Sequence, residues 1–364
     1  MGYIEKCTPQ DIPDVANLHA KVFYQPGERA TEQLRSYYMN VFFNNPWYEE
    51  DFSPLVYRTE QRNVAGFMGV ISRPMTLNGK LIRVVVAHRL MVAPDSHSPL
   101  AALKLLRTFF SYPYDLAISD GANDSGKKFW EGMGGNTTYL YSMNWVCPLR
   151  PCCYTASLLK KMRSLRPIAI ASWPICYLVD LLATRIWSSP LRQTPPGTSE
   201  EEINDEILLS CISEFSKGYL LRPEYDSHSM TWILDFLRSN KHRGTLSGFA
   251  VRNEKKQLIG AYLYYLSAEK IGGVMFLVAR NDSRNHVLEH LLYRMWHEGA
   301  ICVFGRLEPK FLKSFWDYKC LIKRGSWALI HAKDPEIINI VNRGDAFISV
   351  LEGELWLRSP TDRL

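Results

Sequence analysis

Few residues in this chain combine a titratable side chain with a setting that could use it. His88 falls in the middle of a Val-rich apolar run, Leu81 to Val92. Strand alternation puts it on one face with Val84, Val86 and Leu90, so it reads either as a core histidine or as a proton acceptor. Asp120 ends the next apolar run, just ahead of Gly121, and is either a turn-forming side chain or a second acceptor. His286-Val287-Leu288-Glu289-His290 matches the HxxEH pattern, in which two histidines one helical turn apart bind a metal and the glutamate acts as base. Nothing in the sequence singles out the third ligand that such a site needs. The pattern is therefore read as a polar helix face, and no metal is expected.

These residues must be placed by elements of both periodicities. Thr8 to Phe23 reads as a helix, with Thr8 as N-cap, Pro9 in the first turn and apolar residues at Ile12, Val15, Ala16, Ala20 and Phe23. A second helix covers Glu32 to Phe43. Strands follow at Leu55 to Arg58 and Ala65 to Ser72, then Asn78-Gly79, a strong hairpin signal. The long strand through His88 leads to a loop at Pro94 to Ser98, a helix at Leu100 to Phe110 and a short strand at Asp115 to Ser119. A helix from Ser125 to Met133 ends at Gly134-Gly135, and Thr138 to Trp145 closes the series as a strand. The same order recurs in degraded form from Ile203 onward, with closing strands near Trp327 to Ala332 and Ile348 to Leu351. Antiparallel strands followed by a helix between central strands make an α+β pattern. No GxGxxG follows a strand, which excludes a dinucleotide-binding repeat.

At 364 residues the chain suits two domains. The divisions expected are 1–146, a connector at 147–200, and 201–364. Residues 147–195 hold Arg150, Lys160, Lys161, Arg163, Arg166, Arg185 and Arg192 against Asp180 alone, so this stretch accounts for the whole net charge of +6. Charge confined to a connector points to a local anionic contact, and no nucleic acid is expected as a partner. The connector's apolar runs, Tyr154 to Leu159 and Ile168 to Leu182, are interrupted by Pro167 and Pro174. The longer run falls short of the roughly 20 residues of a spanning helix. A helix pair that lies on an anionic membrane through residues 150–192, or packs between the modules, is expected instead. The eight cysteines form no CxxC pair, the start of the chain has no apolar signal segment, and a cytoplasmic location, peripheral on the inner membrane face, is expected.

The order of elements, with Asn123, Gly126, Phe129, Trp130 and Gly134 along one short helix, resembles the GCN5-related N-acetyltransferase (GNAT) family. The resemblance implies two GNAT-like modules, each a twisted mixed sheet flanked by helices. It also implies acetyl-CoA or another acyl-CoA as co-substrate. The family's loop, Arg/Gln-x-x-Gly-x-Gly/Ala, lets backbone N–H groups at a helix start approach a pyrophosphate. Here the matching stretch is Val92 to Ala102. His97 stands at the basic position, Ser98 and Leu100 stand where glycine is usual, Ala102 fits, and Pro99 removes a donor. Met91, Val92, His97, Ser98, Leu100, Ala101, Ala102, Asn123 and Trp130 are the co-substrate contacts that the resemblance implies. The oxyanion would be met by backbone N–H groups near Met91.

Trp130 stands where the family often has a tyrosine acid, and indole has no proton to give. A thiolate leaving group needs no such acid, whereas an amine nucleophile needs a base, for which His88 and Asp120 are the candidates. Further text resembles GNAT proteins found with bacterial exopolysaccharide synthesis. It includes Leu221-Arg222-Pro223-Glu224-Tyr225-Asp226, Gly305-Arg306-Leu307-Glu308-Pro309, Arg343-Gly344-Asp345-Ala346-Phe347 and Leu351-Glu352-Gly353-Glu354-Leu355-Trp356. The second module carries no phosphate loop, since Asn281 to Asn285 lacks glycine. The expected activity is transfer of an acyl group to nitrogen or oxygen of a small-molecule, saccharide or lipid-linked acceptor. The alternatives are a non-catalytic adaptor for a partner enzyme or membrane, and an aminoacyl transferase of the FemAB type.

Overall fold

The computed structural model describes residues 2–25, 27–94, 100–186 and 194–358. The first half of the chain runs β1 (Tyr3–Lys6), α1 (Ile12–Phe23), α2 (Glu32–Phe42), β2 (Leu55–Arg58), β3 (Val64–Leu77), β4 (Lys80–Val92), α3 (Ala101–Phe110), β5 (Leu116–Ala122), α4 (Asp124–Gly132), β6 (Asn136–Thr138) and β7 (Met143–Pro148). There follow α5 (Pro151–Lys160), α6 (Arg166–Arg185), β8 (Ser199–Glu202), α7 (Asp205–Phe215), β9 (Leu221–Pro223) and α8 (Ser227–Ser239). The remainder is β10 (Thr245–Arg252), β11 (Leu258–Leu266), β12 (Ile271–Ala279), α9 (Arg284–His297), β13 (Cys302–Arg306), α10 (Leu312–Asp317), β14 (Leu321–Arg324), β15 (Trp327–Ala332) and α11 (Pro335–Asn342).

These elements form two compact units. One takes Met1–Ser142, Lys217–Leu237 and Ser326–Leu364, and the other Met143–Ser216 and Arg238–Gly325. The first unit's sheet has the order β1-β2-β3-β4-β5-β15-β6, with β9 paired to β3 off that path. The second unit's order, read the same way, is β8-β10-β11-β12-β13-β7-β14. In each sheet one internal pair is parallel, β4 with β5 and β12 with β13, and the other strand pairs among the described residues are antiparallel.

The strand next to last is exchanged. β15 comes from late in the chain and lies between β5 and β6, while β7 comes from the first half and lies between β13 and β14. Side-chain alternation fits these places. Trp145 and Cys147 of β7 are buried in the second unit's core, and Trp145 stacks on Phe315 at 4.7 Å. Ala328 and Ile330 of β15 are buried with Ile118, Ile337 and Ile340 in the first unit.

Local chemistry explains the elements that place the site. Asn78 and Gly79 take φ of 50° and 80°, the left-handed pair of a type I′ turn, which joins Leu77 to its partner Lys80 and closes the β3–β4 hairpin. Asn123 caps α4, its Oδ1 accepting from the Gly126 N–H at 2.8 Å. The helix ends with Gly134 and Gly135 donating to the carbonyls of Glu131 and Trp130, and Gly134 has the φ of +93° that this ending favours. Gly135 lies flat on Trp130, where a Cβ would sit 2.0 Å from the indole.

Several expectations change. Thr138 to Trp145 is not one strand: β6 ends at Thr138, a short 3-10 turn spans Leu140–Ser142, and β7 joins the other sheet. Ile348 to Leu351 forms no strand, because Ser349 caps a 3-10 turn at Val350–Glu352. Among the described residues of the expected connector, α5 and α6 lie within the second unit. α6 spans 20 residues, so it is long and apolar enough to cross a membrane by length and composition.

Candidate active site

The parallel pair at the centre of the first unit is short. β4 and β5 pair only at Val84–Leu116, Val85–Ala117 and Val86–Ile118. Beyond that point Ala87 to Val92 and Ser119 to Ala122 belong to strands but not to a shared ladder. The separation coincides with a bulge on the other side of β4, where the register with β3 shifts between Phe67 and Gly69 and Arg89 takes a φ of 65°. His88 and Leu90 therefore do not share a face as plain alternation would have them. The extra residue breaks the alternation, so Leu90 is exposed while His88 is buried.

A cavity of ≈ 610 Å³ opens between the parted strands, within the roughly 300–1,000 Å³ typical of small-molecule sites. β4 contributes Ala87, His88, Arg89, Leu90 and Val92, and β5 contributes Ser119, Gly121 and Ala122. α3 adds Ala102 and Leu106, and the α4 segment adds Asn123, Gly126, Phe129 and Trp130. Glu354, Leu355 and Arg358 enter from the end of the described chain.

Glu354 is the centre of the polar chemistry. Its Oε1 accepts from Ser119 Oγ at 2.7 Å and from the Gly121 N–H at 3.0 Å, while Oε2 lies 3.0 Å from His88 Nδ1. One carboxylate thus bridges the two parted strands. Burial pushes its proton affinity up, but the bonds from His88, Ser119 and Gly121 outweigh that and hold it below the ordinary carboxylate range. His88 is also held below its ordinary value, by burial first and by the nearby Arg89 and Arg358 cations, against the pull of Glu354.

An ionised Glu354 only accepts, so His88 Nδ1 carries a proton. His88 Nε2 lies 2.7 Å from the Tyr37 hydroxyl, which in turn donates to the Leu357 carbonyl at 2.6 Å. Tyr37 has one proton and cannot give it to both. With neutral His88, one of these two bonds lacks a hydrogen. With Nε2 protonated as well, Tyr37 accepts from His88 and still donates to Leu357. The neutral network is therefore one proton short of complete, and burial keeps it in that form.

Of the residues singled out from sequence, His88, Val92, Ala102, Asn123 and Trp130 line the cavity. Trp130 is anchored by its Nε1, which donates to the Ile330 carbonyl at 2.9 Å. Asp120 is buried, and its Oδ1 accepts from the Glu354 N–H at 2.6 Å. It holds the backbone that carries Glu354. Gly353 lies so close over that carboxylate that a Cβ would meet it at 1.9 Å. Met91 is buried beneath Tyr38, Ala101 is buried and Leu100 is exposed. His97 and Ser98 lie outside the described residues. Sequence reasoning does not single out Glu354, Ser119 or Tyr37 as site residues, and Glu354 has a second acid, Glu352, two positions before it.

His286 and His290 do not form a metal centre with Glu289. His290 Nδ1 is bonded to the Tyr262 hydroxyl at 2.8 Å, and no group of three or more His, Cys, Asp or Glu suited to a metal occurs among the described residues.

By sequence, no family model and no curated protein matches the chain. Solved structures do. A conserved Enterococcus faecalis V583 protein of unknown function, described as a probable N-acyltransferase, superposes with a TM-score of 0.60 at 9% identity over 91% of this chain and 73% of its own. GCN5-related N-acetyltransferases from Anabaena variabilis ATCC 29413 and Kribbella flavida give TM-scores of 0.57 and 0.55, both at 11% identity. They cover 92% and 90% of this chain, and 74% and 70% of their own. At such identities the likeness is one of architecture: the chain has the fold of GCN5-related N-acetyltransferases.

Proposed function

We propose that the chain is an acyl-CoA-dependent N- or O-acyltransferase, built as a tandem of two GNAT modules with the working site in the first. The observation that carries this reading is the parting of β4 from β5 around a cavity with a bridging carboxylate at its centre. Beyond Val86 β4 leaves its ladder with β5, and its backbone there suits pairing with the amide-bearing arm of an acyl-CoA. Arg89 and Arg358 supply positive charge for its phosphates. Ala102 and the α3 start, with Asn123 and Trp130, complete the residues that would hold it. An acyl-CoA supplies an activated carbonyl whose thiol departs with a pKa of about 8.5.

The chain's own residues handle the acceptor. Glu354 attracts an ammonium or hydroxyl acceptor and takes its proton at the carboxylate. The Nδ1–H of His88 goes on donating to Oε2 and holds the carboxyl group in place, while Tyr37 stays bonded to Nε2 on the far side of the ring. Attack on the carbonyl then forms the C–N or C–O bond, breaks the C–S bond and sends the electron pair to sulfur; with an amine, the second nitrogen proton goes to the departing thiolate. An acceptor on a saccharide or lipid-linked precursor, as in exopolysaccharide synthesis, follows from the resemblances of the sequence.

Titration of the full chain with acetyl-CoA in a calorimeter tests the reading. Saturable heat is expected, and its absence at millimolar ligand overturns it. A second reading, a non-catalytic adaptor, draws on one observation: Glu354 already occupies the Gly121 amide that an incoming arm would use. It predicts that Glu354→Gln leaves biological function intact.

A further inference from the structure

We infer that the α5–α6 hairpin is a docking surface for an anionic lipid bilayer, with both helices lying in the plane of the interface. The two helices are pinned together by Asp180, whose carboxylate accepts from the Cys152 and Cys153 N–H groups at 3.0 and 2.8 Å. That single acid therefore faces the start of α5 and is itself buried. Ala169, Asp180 and the half-buried Ser172, Cys176 and Ala183 recur at helical spacing and make one narrow stripe on α6.

The rest of the helix is apolar and open. Ile168 is 63% exposed, Ile175 66% and Leu182 60%, with Ile170, Tyr177 and Leu178 also exposed. Only 11% of Arg166–Ala183 is buried. An apolar surface this continuous marks an interaction site in a folded protein.

Charge decides what covers it. Lys160, Lys161, Arg163 and Arg166 cluster at the turn of the hairpin, all exposed, and no exposed acid occurs from 151 to 183. An apolar face edged by cations complements anionic headgroups over acyl chains. A spanning arrangement is disfavoured, because α5 is tied to α6 at Asp180 and the basic turn that joins them would have to be carried across the hydrocarbon. Trp173 and Tyr177 suit the headgroup level. The inference rests on the hairpin alone and holds whether or not the cavity takes an acyl donor.

Co-sedimentation of the full chain with phosphatidylcholine vesicles, with and without phosphatidylglycerol, tests it. Binding is expected only with the anionic lipid and should weaken with salt. Reversal of the four cations to glutamate should reduce binding at least about tenfold. Ile175→Asp with Leu178→Asp should abolish it, and both variants should keep the parent's far-ultraviolet spectrum and melting transition because the altered positions are exposed. Three results overturn the proposal: no sedimentation with anionic vesicles, equal binding after charge reversal, or a dimer in light scattering that the Asp pair dissolves while vesicles remain unbound. The last would make the hairpin a contact between copies of this chain.

Discussion

The two units share a strand order and differ in how far their central parallel strands stay together. In the second unit β12 and β13 pair from Ile271–Cys302 to Val274–Gly305, which leaves a single residue of β13, Arg306, beyond the ladder. In the first, β5 has four residues beyond Ile118. The second unit fills its interior with Trp145, Phe311 and Phe315, and the first puts His88, Ser119 and Glu354 along a cavity. The loops after the paired strands diverge as well: in the second unit Arg280, Asp282 and Ser283 bond to one another, and Arg284 bonds Asn281. A buried histidine occurs in both. His290 meets Tyr262 on a helix face, whereas His88 meets Tyr37 and Glu354 on a strand that has lost its neighbour. One more registered pair, with a shorter stretch of strand beyond it, thus accompanies a filled core where the other unit has a cavity.

The strand exchange makes a strong prediction. A chain ending at Pro148 retains β1 to β6 but lacks β15, which pairs with both β5 and β6, and lacks the segment bearing Glu354. It leaves β5 as an open edge and the apolar residues of β5 without cover. No cooperative unfolding transition is expected by calorimetry. A sharp transition would mean that β15 is dispensable and that the first unit is complete in the first half of the sequence.

Next in size is the contrast between two glutamates. Glu354→Gln keeps the acceptor for Ser119 and removes the charge beside His88; acyl transfer, followed by loss of thioester absorbance, should fall about a hundredfold. Glu200, 3.6 Å from His290 Nε2, belongs to the filled unit, and Glu200→Gln should change the rate less than about twofold. Equal effects would erase the functional distinction between the units.

How much of this was legible follows from which forces act locally. The Asn78-Gly79 turn, the Asn123 cap and the α4 ending at Gly134 are set by neighbours in sequence, and reading them needs no tertiary information. Ala102, Asn123 and Trp130 came instead from the family resemblance, and His88 from its setting in an apolar run; all four line one cavity. Alternation failed at Leu90 because a bulge inserts one residue without a compositional mark. The destinations of β7 and β15 were hidden for a different reason. Both are short alternating strands that fit either sheet, and the choice depends on contacts such as Trp145 with Phe315, distant in sequence. Glu354 was illegible as a site residue because its partners, His88, Ser119 and Gly121, lie more than two hundred residues upstream.

The smallest effect concerns pH, and the two histidines should differ in it. Burial, then the Arg294 cation, lowers His290 from 6.5 to about 4. Below pH 6.5 the unfolded chain binds a proton that the folded second unit refuses. This contribution to stability is therefore present above pH 6.5 and is lost as pH falls toward 4. After allowance for partial solvent screening it amounts to about 1 kcal/mol. Hydrogen exchange in α9 and β11 peptides, corrected for intrinsic rate, should accelerate over that window, and His290→Gln should flatten the response. His88 is lowered in the same direction, so its own contribution is also lost with falling pH. Protonation at Nε2, however, lets Tyr37 donate to Leu357 and accept from His88 at once, a compensation that Tyr262 and His290 do not have. β4 peptides should consequently respond less steeply than α9 peptides over the same window. A steeper response in β4 would show that the first unit's network gains nothing from the added proton.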